Sequence, residues 1–402
     1  MEQRNRHTNL QKVVARSHGE WDDAQRIGLA GINATVSGRN RLHDAHGRQF
    51  AHFCTTSYLG LDYDERILEG AMNALRATRT LRIANSRNRC KLAILDRYEQ
   101  ALGAHFGATA SVALSCSAAS TGVLPLMAAG LLSDGVRPVM AFDRFAHYSM
   151  NHAKPACADE TDVLTIAHND LDHLESLCRQ HRQVAYIADS FYSMGGVSPV
   201  ADVIALQQKY GMLVYYDDSH ALSAIGPLGR GLVHAVLSEL PERVFVVASL
   251  AKAFGASGGV LLYRDAGTRN LIDRYGGPAN WSQSLNAAAI GAGLASLDIH
   301  QSPELPALQA RLQHNLRRFD AALSTAQHGS ASPIRLLRCG DAEFANRMAA
   351  TLLERGFLTS PVFFPVVPQD SPAVRVTLRA DMTDDELDAF CASVDALTPI
   401  CA

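Results

Sequence analysis

The stretch Val244-Phe245-Val246-Val247-Ala248-Ser249-Leu250-Ala251-Lys252-Ala253-Phe254-Gly255 decides the fold. Its first five residues are all apolar, without the polar alternation of a half-exposed strand, and predict a strand covered on both faces. The chain then breaks into small residues around a lysine. A lysine at a buried strand end is costly unless it is neutral, paired or covalently engaged.

Six more short apolar or β-branched runs share this texture: Ser111–Ser115, Val136–Phe142, Val163–Ile166, Val184–Ala188, Met212–Tyr216 and Gly259–Tyr263. Helix-like stretches separate them, which predicts an α/β fold with a mainly parallel central sheet and right-handed crossovers. After Gln301 the texture changes. Leu308–Leu323 and Ala342–Arg355 read as amphipathic helices, Val374–Leu378 as a strand and Asp384–Leu397 as a closing helix. The expected division is an N-terminal segment over 1–55, a large domain over 56–290 and a smaller α+β domain over 291–402.

Composition fits a globular enzyme: 402 residues, 47% hydrophobic, 19% charged, net charge -3. Nothing in the charge balance predicts a nucleic-acid or anionic-membrane partner. The start of the chain is polar, with Arg4 and Arg6 and no apolar core behind them, and no run of about 18 apolar residues could span a bilayer. The eight cysteines are scattered, as reduced core residues are. A cytoplasmic location is the expectation. His168-Asn169-Asp170 with His173 is too sparse for a metal site, and none is expected. Gly255-Ala256-Ser257-Gly258-Gly259 precedes a strand, where a dinucleotide-binding loop would follow one.

In parallel sheets ligand chemistry collects at the carboxyl ends of the strands. There stand Lys252, then Asp217 with His220 after the Met212–Tyr216 run, Asp189-Ser190 after Val184–Ala188, and Asp143 with His147 after Val136–Phe142. Desolvation supplies the neutral lysine amine that Schiff-base chemistry needs. A carboxylate at a neighbouring strand end holds a pyridine nitrogen protonated and makes the ring an electron sink. This donor set suits pyridoxal 5′-phosphate (PLP) bound through Lys252. Asp217 is placed at the ring nitrogen, His220 within reach of the phenolic oxygen and His147 on the ring face. Ser117 and Ala118, in a segment that follows the first run and opens a helix, suit the phosphate. Ser249 and Ser193 are further hydroxyl contacts.

These residues resemble the α-oxoamine synthases of PLP fold type I, within the aminotransferase class I/II superfamily. The resemblance rests on Tyr58-Leu59-Gly60-Leu61, Asp143-x-x-x-His147, and Asp217-x-x-His220 running on to Gly226-Pro227-x-Gly229-Arg230-Gly231. It also rests on Ser249–Gly255 and on Arg375-Val376-Thr377-Leu378. It covers roughly Tyr58 to Thr383. Asp189-Ser190-x-Tyr192-Ser193 and Ala248–Lys252 look closest to the α-aminoketone autoinducer synthase branch.

The resemblance implies a PLP-dependent acyltransferase that condenses an amino-acid-type donor with an acyl-CoA, usually with loss of carbon dioxide. It implies that Arg375 binds the donor carboxylate. It further implies a homodimer with shared active sites, since Ala279–Leu285, with Ser282, resembles the segment that reaches a neighbour's phosphate. Arg87 and Thr56 are the other substrate-side candidates. Here the pattern departs: Ile83–Arg89 replaces a glycine-rich Gly-Ser-Arg segment, and Thr56-Ser57 replaces Asn-Asp before the tyrosine. Asp218 replaces a glutamate. These changes fall on the substrate side, so S-adenosylmethionine competes with a simple amino acid as donor. An aminotransferase, a lyase or γ-replacement enzyme, and a non-catalytic relative are the alternatives. Arg76, Arg79 and Arg82 read as a solvated face, or as neighbours of a CoA phosphate.

Overall fold

The computed structural model describes His7 and residues 10–397. They form two compact units. One comprises Asp64–Tyr192 and Val197–Pro306; the other gathers the described parts of Thr8–Tyr63 and Ala307–Ala402 with the short stretch Ser193–Gly196. This division differs from the expected one in two ways. Residues 10–63 are not a separate segment but part of the second unit, while His7 groups with the first. The boundary falls at Pro306, within the helix Glu304–Ala322, not near residue 290.

The first unit is built on a seven-stranded sheet. Its strands are β1 (Thr109–Ala113), β2 (Val139–Asp143), β3 (Val163–Ile166), β4 (Val184–Asp189), β5 (Leu213–Asp217), β6 (Val244–Ser249) and β7 (Gly259–Tyr263), in the order β1-β7-β6-β5-β4-β2-β3. The five strands β2 to β6 pair in parallel. β7 runs antiparallel to both β6 and β1. β2, β4, β5 and β7 are buried throughout, and only the last residue of β6 is partly exposed. Apolar residues pack on each face of the sheet, with Tyr98, Tyr186 and Val246 on one side and Met127, Phe142 and Tyr215 on the other. Burial on both faces is the reason these strands read as continuous apolar runs.

In the second unit the hairpin strands Ala34–Gly38 and Arg41–Asp44 lead to Gln49–His52, which pairs in parallel with Phe357–Leu358. A separate antiparallel sheet joins Ile334–Arg338, Ala373–Thr377 and Ser360–Val362. Phe53 stacks on Phe390 with ring centroids 4.3 Å apart, and Phe357 meets both edge-on. Met194 packs against Leu336, Val362 and Val367, which explains why its four-residue stretch belongs here. Among the described residues no helix is long and apolar enough to cross a membrane.

Candidate active site

Lys252 lies in a tight turn just past β6. Leu250 N–H donates to Gly258 O (2.9 Å) and Ala256 N–H to Leu250 O (2.8 Å), while Leu250 and Phe254, both fully buried, anchor the turn. The half-buried Lys252 Nζ stands 2.9 Å from His220 Nε2. His220 is carried by the turn that follows β5, whose last residue is the buried Asp217. Asp217 Oδ1 accepts the Ser219 N–H at 2.9 Å, and Ser219 Oγ in turn accepts the Ser249 N–H at 2.8 Å. The ends of β5 and β6 are thus laced together.

On the other side of β5, Asp189 closes β4 directly opposite Asp217. Its Oδ2 accepts the His147 N–H at 2.8 Å. Burial, and then the neighbouring Asp217, push the Asp189 carboxyl well above its ordinary range. His147 caps a short helical turn, Tyr148–Asn151, its Nδ1 accepting the Ser149 N–H at 3.2 Å. The loop that carries His147 is held by Asp143, which accepts from Phe145 N–H (2.8 Å), Asn169 N–H (2.9 Å) and His168 Nδ1 (3.1 Å). Burial alone would raise the Asp143 carboxyl, but these hydrogen bonds outweigh it and hold it below the ordinary value. His168 is therefore engaged with Asp143 and packs edge-on against Tyr192, with ring centroids 4.5 Å apart.

The helix Cys116–Ala128 starts beside this cluster. Ser115 caps it by accepting the Ala118 N–H at 3.1 Å, so Ser117 and Ala118 sit in its first turn, where amides lack intrahelical acceptors. Cys116 Sγ lies 3.5 Å from Ser219 Oγ, which joins the helix start to the Asp217 turn. The approach requires glycine at the first residue of β7: a Cβ on Gly259 would stand 2.7 Å from the Cys116 nitrogen. A second glycine is fixed by Asp218, whose Oδ2 would be 2.0 Å from a Cβ on Gly231, where φ is +87°. Burial pushes the Asp218 carboxyl up to about 7.

A lysine amine, an imidazole, a buried carboxylate and a helix N-terminus therefore meet at adjacent strand ends, a donor set that fits a phosphorylated pyridine aldehyde. The comparisons agree. Residues 53–394 match the family model for aminotransferase class I and II. The chain belongs to the aminotransferase class I and II family.

A putative 8-amino-7-oxononanoate synthase from Desulforudis audaxviator is 28% identical over 379 residues, 91% of this chain and 95% of the relative. The human mitochondrial 2-amino-3-ketobutyrate coenzyme A ligase is 25% identical, covering 92% and 88% of the two chains. The serine palmitoyltransferase of S. paucimobilis, solved with PLP bound, superposes with a TM-score of 0.83 at 19% identity over 96% of this chain and 98% of that one. The resemblance to α-oxoamine synthases of PLP fold type I is thereby borne out, and PLP is the cofactor of this family member.

Of the remaining candidates, Ser249 stands at the site itself. Ser249 Oγ accepts the Ala251 N–H at 3.3 Å within the lysine turn. Ser282 is exposed and lines a cleft of ≈ 1130 Å³ in the first unit with Arg82, Asn85, Arg89, Arg274 and Trp281. Arg87 was expected on the substrate side. It is only 6% exposed and is spent on Glu99 (2.8 Å), Asp273 (3.1 Å) and the Val112 carbonyl (3.2 Å). Its neighbour Arg269 adds a second cation to Glu99 at 3.1 Å, so the cluster is a buried ion network.

Thr56, Arg375 and Ser193 belong to the second unit. Thr377, two residues past Arg375, donates to the carbonyl of Thr55, next to Thr56, at 2.6 Å. Arg375 lies beside the Tyr58 phenol, which burial raises above its ordinary pKa. The buried Nε and Nη2 of Arg375 have no hydrogen-bond partner among the described residues. Ser219 and Cys116 stand inside the strand-end segments that the sequence singles out, without a role of their own there, and Ser149 has no signal beyond lying two residues past His147.

Proposed function

We propose that the protein condenses an amino-acid-type donor with an acyl-CoA, releasing CoA and, where the donor carboxylate is kept to that stage, carbon dioxide. The convergence of Lys252, His220 and Asp217 at the ends of β5 and β6 carries this reading, and the synthases among the relatives support it. When bound, the cofactor supplies the electron sink for the donor's α-carbanion.

The protein's own groups do the rest. The amides opening helix Cys116–Ala128 take the phosphate, and Asp217, aimed by the Ser219 N–H, holds the proton on the ring nitrogen. Lys252 makes the covalent link. Its amine, when free, would stand beside His220 as the base for the donor's α-proton. His147 would hold the ring face. Arg375, with two unsatisfied buried nitrogens, is assigned to the donor carboxylate. The working form is read as a cytoplasmic homodimer, with Ser282 presented to a second copy.

The test is thiol release from a panel of acyl-CoAs with simple amino acids and S-adenosylmethionine as donors. Release that needs both substrates and is abolished in Lys252→Ala is the expected result. A donor that changes the cofactor's spectrum but liberates no thiol from any acyl-CoA would overturn it in favour of an aminotransferase or γ-replacement enzyme.

A further inference from the structure

His147 and Asp217 are flanked by two buried groups that the chemistry above does not use, Ser149 and Asp189. The His147 N–H is anchored on Asp189 Oδ2 at 2.8 Å. Asp189 and Asp217 face each other at the ends of β4 and β5. Ser149 lies between the imidazole and the second carboxylate: its Oγ is 2.9 Å from His147 Nδ1 and 3.5 Å from Asp217 Oδ2. Ser149 is 2% exposed and Asp189 1% exposed, so water does not compete for these bonds.

This arrangement constrains the imidazole. Because the Ser149 N–H points at Nδ1, that nitrogen must offer its lone pair, and the ring proton sits on Nε2. The Ser149 hydroxyl, at 2.9 Å the nearer of the two donors, gives its one proton to the same Nδ1 lone pair, so backbone and side chain of Ser149 hold the ring in this tautomer together. Asp189 contributes an acceptor more than a charge, since burial beside Asp217 disfavours its ionised form. The titratable groups around these residues are Asp143, Asp189, Asp217, Cys116 and Lys252.

We propose that Ser149 and Asp189 are positioning residues, which fix the plane and the Nε2–H tautomer of His147 beside Asp217. This rests on the reading of His147 and Asp217 as cofactor contacts. Neither residue touches the reacting atoms; both act through groups that do.

The experiment records the visible absorbance and circular dichroism of the PLP-loaded enzyme against pH, with kcat and KM, for Ser149→Ala, Ser149→Thr, Asp189→Ala and Asp189→Asn. Ser149→Ala and Asp189→Ala are expected to shift the pH midpoint of the visible band and to lower kcat roughly three- to tenfold, with KM little changed. Ser149→Thr restores the hydroxyl and Asp189→Asn keeps an acceptor, so both return the midpoint toward wild type. Unshifted midpoints and dichroism in the two alanine variants would overturn the proposal. So would an Asp189→Asn shift as large as that of Asp189→Ala, which would make the charge the operative feature. Should Asp189→Ala not fold, Ser149→Ala decides alone, because it leaves the backbone cap intact. A wild-type enzyme without a visible band that depends on Lys252 would instead sink the cofactor reading itself.

Discussion

Arg87 is ion-paired with Glu99 and Asp273 and donates to a backbone carbonyl, whereas Nε and Nη2 of Arg375 are buried with no hydrogen-bond acceptor among the described residues. The two arginines should therefore fail differently. Arg87→Met strands Glu99 beside Arg269 alone, at a cost of about 3–5 kcal/mol, and is expected to lower Tm with donor KM unchanged in whatever protein remains folded. Arg375→Met removes the charged partner of a donor carboxylate, raising donor KM roughly 10- to 100-fold with a small change in Tm. Paired melting curves and kinetics separate the cases, and a raised KM in Arg87→Met would return that residue to the substrate side. The contrast also marks how far the site was legible. Lys252, Asp217, His220 and His147 could be read because each stands just beyond an apolar run. Whether an arginine is free could not, because its partners Glu99 and Asp273 lie 12 and 186 positions away along the chain.

All seven strands of the main sheet were visible as apolar or β-branched runs; burial on both faces explains this for the inner strands, while the edge strand β3, with Leu164 and Thr165 exposed, was legible from its β-branched residues. Their edges were less clear. β1 ends at Ala113, two residues before the expected Ser115, because Ser115 is used as a helix cap. The antiparallel direction of β7 leaves no mark on composition. The strands Ala34–Gly38 and Arg41–Asp44 were missed because they are polar and mostly exposed.

Helix packing in the first unit also gathers three buried histidines that no spacing announced: His105 from Ala93–Phe106, His234 from Gly231–Val236 and His300 from Ala287–His300. Burial lowers each to about 4, with Arg230 adding to the effect at His105 and His234. A folded pKa below the ordinary 6.5 means the unfolded chain takes up these protons first. The stability they contribute is complete above about pH 6.5 and is lost as pH falls toward 4, on the order of 2–3 kcal/mol for each histidine. His52 in the second unit acts in the same direction. Tm should accordingly drop between pH 7 and pH 5, and drop less in His105→Gln; an equal drop in both proteins would show that His105 is not held neutral.

Across the whole molecule, the expectation that misses most is the isolated N-terminal segment. Its sequence is polar and mixed, so nothing in it advertises a partner more than 300 residues away. The partner is nonetheless specific. Ala51 N–H donates to Gly356 O and Phe53 N–H to Leu358 O, both at 2.8 Å, while Phe50 and Ala51 are buried. Thr377 N–H adds a further bond to Phe53 O at 2.8 Å. The strand Gln49–His52 thus closes one edge of Phe357–Leu358 and brings Phe53 into the stack with Phe357 and Phe390. Deleting residues 1–52 would expose that edge and strip apolar cover from the stack. An open edge invites intermolecular pairing, so the shortened chain should aggregate on expression or lose its near-ultraviolet dichroism. Phe50→Ser tests the same joint more gently. Replacing a buried phenylalanine with a small polar residue costs about 3–5 kcal/mol, enough to lower Tm by several degrees while far-ultraviolet dichroism stays near wild type. A shortened chain that stays monodisperse with an unchanged Tm would instead make the N-terminal residues dispensable to the second unit.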